Sequence, residues 1–307
     1  MNPNRLLIQP CNIVVSPVTT GSIQRTEQDP RHFYLILYMN RIDRRFTELK
    51  NAGRTGLIPF ITAGDPAPAH TVALMHALVG AGADLIELGV PFSDPMADGP
   101  VIQQASERAI AKGVGVSDVL AWVKAFRQQD RHTPVILMGY LNPLEIRGYE
   151  CFAREASEAG VDGVLIVDCP QEEAACLAPL RAAGLARIGL AAPTTTAERM
   201  VRLCESAEGF LYYVSFAGVT GAAHLSTEAI ADRVTALRAI SKVPVAVGFG
   251  VRDAESAQAL AVFADAVVIG SALVARLAGA TDAETIRERA HDFLAPIRTA
   301  LDQHLKV

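Results

Sequence analysis

From Leu57 onward, short apolar runs alternate with longer stretches whose apolar positions recur at helical spacing. The runs are Leu57–Thr62, Asp84–Leu88, Val135–Met138, Gly163–Val167, Arg187–Ala191, Phe210–Val214, Val245–Val247 and Ala266–Ile269, and each predicts a strand. Between them, Thr71–Val79, Val119–Arg127, Tyr149–Glu158, Glu172–Ala182, Glu228–Ala239 and Ala254–Ala261 predict amphipathic helices. Strands alternating with helices imply a parallel sheet with right-handed crossovers. Eight such units in a chain of 307 residues predict an α/β fold, a single (β/α)8 TIM barrel. The runner-up is an open Rossmann-like sheet, but no Gly-x-Gly-x-x-Gly follows the first strand. Ala81-Gly82-Ala83-Asp84, Ala159-Gly160-Val161-Asp162 and Ala182-Ala183-Gly184-Leu185 each end a helix at glycine and enter the next strand, as one architecture repeated around an axis would.

Residues 1–38 lack this order. The pattern changes at Met39, after which Ile42, Phe46 and Leu49 fall at i, i+4 and i+7 of a short helix. The expected organisation is an extension over residues 1–38, disordered or the product of a misplaced start, ahead of a barrel domain of residues 39–307.

A net charge of -5 argues against nucleic acid as the main partner. The apolar run Phe33–Met39 is far short of the roughly 20 residues that span a bilayer. With no secretory signal pattern, a cytoplasmic protein without membrane contact is expected. Cys11, Cys151, Cys169, Cys176 and Cys204 form no Cys-x-x-Cys pair or zinc spacing, and reduced thiols are expected.

Chemistry in such barrels gathers at the carboxyl ends of the strands. The second strand carries Glu87, with Leu85 and Gly89 on its face and Ile86 and Leu88 on the other. The loop beyond it holds Pro91, Asp94, Pro95, Asp98 and Pro100. A carboxylate on an apolar barrel face should have a raised pKa, whereas Asp98 in a polar turn should stay ionised. Two carboxylates in unlike environments suit a proton donor and a charge stabiliser. The structural alternative is a core glutamate satisfied by backbone donors and an aspartate that only shapes a turn. Asp94 and Asp65, each followed by proline, read as turn residues, and Asp168 is open to either reading. Gly248-Phe249-Gly250 and Gly270-Ser271 follow the last two strands, where barrels commonly hold phosphate. Gly218-Val219-Thr220-Gly221 could close over the same group or be a surface connection. None of His32, His70, His76, His132, His224, His291 or His304 ends a predicted strand, so neither a histidine mechanism nor a metal site is expected.

The segments Pro59–Pro66, Ile86–Pro100, Tyr212–Ser215, Gly218–Gly221, Val247–Gly250 and Gly270-Ser271, in that order, closely resemble the tryptophan synthase alpha chain. The resemblance runs from about Met39 to the C-terminus. It implies a lyase that cleaves indole-3-glycerol phosphate to indole and glyceraldehyde 3-phosphate by a retro-aldol reaction, without metal or organic cofactor. Glu87 would be the general acid–base residue, and Asp98 would hold the indole N–H. Tyr212 would pack on substrate, with Phe60, Met138 and Phe249 around the indole. Gly221, Gly250, Gly270 and Ser271 would cradle phosphate, and Thr220 would order Asp98. Phe216 stands where several members carry arginine, which removes a charged lid contact. The resemblance also implies a pyridoxal-phosphate beta chain as partner in an alpha2beta2 heterotetramer, with Asp94 and Pro95 facing it. A stand-alone indole-releasing lyase and a non-catalytic phosphate-binding barrel are the alternatives, and the intact Glu87 and Asp98 argue against the second.

Overall fold

The computed structural model describes residues 40–214, 227–248 and 250–303. Nine parallel strand segments form one sheet: β1 Gly56–Thr62, β2 Ile86–Gly89, β3 Val135–Gly139, β4 Gly163–Ile166, β5 Ala186–Arg187, β6 Gly189–Ala191, β7 Leu211–Val214, β8 Val245–Gly248 and β9 Ala266–Ile269. Their order is β5-β4-β3-β2-β1-β9-β8-β7-β6. The predicted fifth strand is split at Ile188. Its first half pairs with β4 and its second with β7, so this short run joins the two edges of the sheet.

Helices missed by periodicity are Pro100–Ile110, Leu141–Arg147, Ala197–Ser206 and the long Ala283–Gln303. The segment expected to be one helix from Glu172 is a 3₁₀ turn, Gln171–Leu177, running into a short helix, Ala178–Ala182. The expected extension, residues 1–38, lies outside the described residues.

The period of two along the strands divides the core. Ile58, Leu85, Ile136, Leu165, Ala246 and Val268 face the barrel interior. Leu57, Ile61, Ile86, Leu88, Leu137 and Val164 face the surrounding helices. The predicted helix forms as Arg41–Asn51, with Asn40 Oδ1 accepting from the Ile42 amide. Ile42, Phe46 and Leu49 are buried in the interior cluster, with the Phe46 and Phe210 rings 5.6 Å apart. Burying each such side chain is worth about 1.5–3 kcal/mol, so this helix seals the amino-terminal floor of the barrel.

A repeated device ties that floor together. An acid just before one strand accepts an N–H at the start of an earlier one, and an arginine covers it. Asp84 accepts from Leu57 and is paired with Arg298 at 2.8 Å. Asp162 accepts from Val135 and is paired with Arg127 and Arg41, both at 2.7 Å. Glu208 accepts from Arg187 and is paired with Arg181, and Asp265 accepts from Val245 and is paired with Arg238. The tag glycines belong to this device. A Cβ at Gly82 would meet Arg298 Cγ at 2.5 Å, and one at Gly160 would meet Arg127 Cγ at 2.9 Å. Both also have positive φ, 101° and 89°. Glycine therefore both turns the chain out of the helix and leaves room for the arginine to reach its acid.

Candidate active site

At the carboxyl rim, Glu87 lies inside the barrel as the strand alternation predicts, flanked in register by Phe60 of β1 and Ile136 of β3. It is 4 % exposed. Burial, and then the nearby charge of Asp98, push its carboxyl up to about 8. Glu87 is thus a neutral acid at pH 7.

Asp98 is held above it by the β2 loop. Burial lifts its carboxyl to about 6, opposed by a hydrogen bond from Tyr140. The Tyr140 hydroxyl donates to Asp98 Oδ2 at 3.1 Å and accepts the Ala97 amide at 3.0 Å. The Tyr140 ring stacks on Phe92 with centroids 5.0 Å apart. The Asp98 amide bonds back to Pro95 O, and Gln103 Nε2 donates to Asp98 O at 2.9 Å. The loop is therefore fixed by a tyrosine just past β3 and a glutamine from its own following helix. Asp98 ionises first, and its charge then opposes ionisation of Glu87. Between about pH 6 and 8 the site holds one carboxylate and one carboxylic acid.

The apolar walls come from several strands. Phe60 packs with Ala105, Val274, Val101, Ile102 and Met138 at the rim. Met138 and Tyr212 also border the interior cluster. Tyr212 is half-buried, and desolvation of its hydroxyl together with the charges of both acids pushes its pKa up and keeps it neutral. Two glycines make the room: a Cβ at Gly89 would lie 2.6 Å from Phe60 Cζ, and one at Gly248 would lie 2.2 Å from the Tyr212 hydroxyl. Gly248 thus serves the aromatic wall, beyond its expected part in a glycine loop.

Of the expected phosphate residues, Gly270 and Gly250 follow β9 and β8, two and three strands around the sheet from β2. Gly250 follows β8 with φ 48° and open space around its Cα. Gly270 caps the helix Ser271–Leu277, and Ser271 is exposed at its first position. Paired β8 and β9 bring these loops side by side. Phe249, Thr220, Gly221 and Phe216 lie outside the described residues.

Asp94 is exposed and accepts from Ser93 Oγ, as a turn residue would. Asp65 does more than turn the chain: Arg108 grips its carboxylate with two bonds, at 2.7 and 2.9 Å. Asp168 Oδ1 accepts the Leu141 amide at 2.8 Å, tying the β4 end to the β3 end. Tyr140 was legible only as a strand-end residue, and Arg108, on a helix that periodicity missed, gave no signal. Among the described residues no group of three or more His, Cys, Asp or Glu converges as metal ligands would, and no helix is long and apolar enough to cross a membrane.

The chain matches the family described as tryptophan synthase alpha chain across residues 46–301. It is 60% identical over 267 residues to the tryptophan synthase alpha chain of Xanthomonas oryzae pv. oryzae (strain MAFF 311018), covering 86% of this chain and 100% of that one. The Xylella fastidiosa (strain 9a5c) protein of the same name is 60% identical over 265 residues, covering 86% and 99%. Among solved structures, tryptophan synthase subunit alpha from Legionella pneumophila str. Paris superposes with a TM-score of 0.81 at 47% identity, covering 87% of this chain and 100% of that one. A chain of M. tuberculosis tryptophan synthase in an open form superposes with a TM-score of 0.75 at 36% identity, covering 84% and 99%.

Proposed function

Because this chain belongs to the tryptophan synthase alpha chain family, we propose that Glu87 and Asp98 carry out its alpha reaction. That reaction is the lyase cleavage of indole-3-glycerol phosphate to indole and glyceraldehyde 3-phosphate, and it is this chain's activity. The assignment of roles rests on one observation: two rim carboxyls in unlike settings, Glu87 buried inside the barrel and Asp98 on the β2 loop, held by the Tyr140 hydroxyl at 3.1 Å.

The chemistry follows from that difference. Glu87, protonated at rest, donates its proton to C3 of the indole ring. The ring becomes cationic, and Asp98, accepting the indole N–H, stabilises that charge as it develops. The Glu87 carboxylate then takes the proton of the glycerol hydroxyl. The carbon–carbon bond breaks, its electron pair restores the aromatic ring, and the hydroxyl carbon leaves as an aldehyde. Glu87 ends protonated, and no proton is gained or lost overall. Phe60, Met138 and Tyr212, with Phe249, would enclose the ring. Gly250, Gly270 and Ser271, with Gly221, would bind the phosphate through N–H and hydroxyl donors, and Thr220 would steady Asp98.

The family normally works with a beta chain. We place the partner on the carboxyl rim, where Met96 of the β2 loop is 82% exposed and Ile146, after β3, is 83% exposed. Apolar side chains this bare, one on the loop that holds Asp98 and one on the helix Leu141–Arg147 that follows Tyr140, suit a surface covered by another chain. An alpha2beta2 assembly in the cytoplasm is the expected setting.

The test is indole release from indole-3-glycerol phosphate by purified protein, with and without beta chain. Stimulation by the beta chain supports the paired enzyme, and equal rates favour a stand-alone lyase. Calorimetric titration with glycerol phosphate tests the anion site, and absence of binding would remove Gly250, Gly270 and Ser271 from it.

A further inference from the structure

One buried hydroxyl at the carboxyl rim has no partner. Thr62 ends β1 and is 2% exposed, and among the described residues its Oγ1 makes no hydrogen bond. Leaving such a group unpaired costs stability, so its setting needs a reason. Strand alternation gives its direction. Leu57, Ile61 and Ala63 pack toward the helices, while Ile58 and Phe60 point into the barrel, and Thr62 follows them on the inward face. The other unpaired buried atoms among the described residues lie on the floor, at Arg45 and Arg298, or in the helix layer, at His76 and Tyr213.

The place of Thr62 in the sheet decides what it can meet. The strand order runs β2-β1-β9, so β1 separates the strand of Glu87 from the strand that leads to Gly270. Phe60 pairs in register with Glu87, and Thr62, two residues further on, stands about 7 Å nearer the rim. Its own partner in register is Gly89, which brings no side chain. On the other side, a Cβ at Gly270 would lie 3.6 Å from Phe60 Cβ, so the ends of β1 and β9 are in contact. The β1 end is also firmly held. Thr62 O accepts the Asp65 amide at 3.1 Å, the Ala63 amide donates to Gly89 O at 2.9 Å, and Arg108 clamps the Asp65 carboxylate.

We infer, resting on the roles proposed for Glu87 and for the phosphate donors, that the Thr62 hydroxyl binds the middle hydroxyl of the substrate's glycerol chain. In indole-3-glycerol phosphate three carbons join the ring to the phosphate. The first bears the hydroxyl that Glu87 deprotonates, and the third bears the phosphate. With the ring at Glu87 and the phosphate at Gly270 and Ser271, the chain crosses the end of β1, and its second carbon carries a hydroxyl past Thr62. Both hydroxyls can donate and accept, so each satisfies the other. The substrate hydroxyl takes no part in the bond changes and stays on the aldehyde product. Thr62 therefore aids binding and selects the substrate, and moves no proton. A buried hydroxyl of this kind discriminates against an analogue that lacks its partner, because the group is then left unpaired again.

The experiment titrates the full-length protein with glycerol 3-phosphate and with propane-1,3-diol monophosphate, which lacks only the middle hydroxyl. Wild type should bind the first about fivefold more tightly. Thr62→Val replaces the hydroxyl with a methyl group of the same shape, and it should bind both compounds alike. Thr62→Ser should keep the preference. In the assay of indole release, Thr62→Val should raise KM several-fold, with a smaller change in kcat and both limbs of the pH–rate profile in place. It should melt no lower than wild type, because no bond is lost in the free protein. Wild type that released indole but bound the two compounds alike would overturn the contact and leave the roles of Glu87 and Asp98 standing. A preference that survived in Thr62→Val would overturn it by assigning the hydroxyl to another residue. A variant that melted well below wild type would overturn it by showing the hydroxyl already paired in the free protein. If wild type bound neither compound, the phosphate site itself would fall, and the contact with it.

Discussion

The hydroxyl of Tyr140 holds Asp98 from one side only: it donates to Oδ2 at 3.1 Å and takes the Ala97 amide in return. One oxygen atom just past the end of β3 therefore fixes both the backbone and the carboxylate of the β2 loop. Tyr140→Phe removes both bonds and keeps the stacking on Phe92. Indole formation should drop about tenfold or more, with a stability loss of about 1 kcal/mol. The Tyr140 bond opposes the burial that raises Asp98, so the acid limb of the pH–rate profile should also move upward. An unmoved limb with an unchanged rate would show that Tyr140 serves packing alone.

Glu87→Gln keeps the shape and removes the proton chemistry. Cleavage should fall to background, while binding of indole and of glycerol phosphate persists. Near wild-type turnover in this variant would end the acid–base assignment. The same variant has a stability signature. Glu87 rises from the ordinary glutamate value to about 8 on folding. Its contribution is fully present below the unfolded value, about 4.3, and is lost as pH rises through about 8. Glutamine does not titrate, so the melting temperature of the variant should gain on wild type steadily from pH 5 to pH 8.5.

The profile of kcat/KM against pH should be bell-shaped. Activity rises through about 6 as Asp98 ionises and falls through about 8 as Glu87 loses its proton. Because the two charges interact, the limbs belong to the pair. Asp98→Asn should lose most activity, and its remaining rate should lack the acid limb. A flat profile across this range would leave the pair without a role.

Gly248→Ala drives a methyl group to within 2.2 Å of the Tyr212 hydroxyl, so the ring must shift. The expected result is a stability loss of about 1–3 kcal/mol and a marked rise in KM. Gly89→Ala should act similarly through Phe60. Thermal melts and indole assays on both variants check this, and wild-type behaviour in either would show that the rings have other positions.

Arg127→Met strips Asp162 of a buried partner at the floor, far from the chemistry. Breaking such a pair costs about 3–5 kcal/mol, so urea unfolding should shift by that order. Catalysis in the folded fraction should stay normal. A large loss of kcat at full folding would contradict the separation of floor and rim.

The barrel was legible because strand runs and helical periods alternate along the chain, and Glu87 was placed correctly because side chains on a strand alternate faces. Asp98 stood out through its proline-rich loop. Tyr140 had no comparable signal: its role depends on a hydroxyl reaching 42 residues back along the chain to Asp98, and no local pattern encodes that. The tags ending in Asp84 and Asp162 were visible as repeats, but their purpose required the arginines that lie over Gly82 and Gly160. The split at Ile188 was invisible because pairing on two sides depends on neighbours far away in sequence. The helix Pro100–Ile110 was missed because its fully buried residues, Ala105, Ser106 and Ala109, are small and leave only a faint apolar period.

The acids beneath the strands also bear on how the chain finds its shape. Each stitch joins an acid to an amide only 27, 27, 21 or 20 residues earlier. Closing loops this short costs little entropy compared with bringing the two ends of the chain together. Each strand–helix–strand quarter can therefore be fastened soon after it is made, while the ring is still open. Assembly then reduces to docking four quarters, and the acids at the rim need no partner until the last of them arrives.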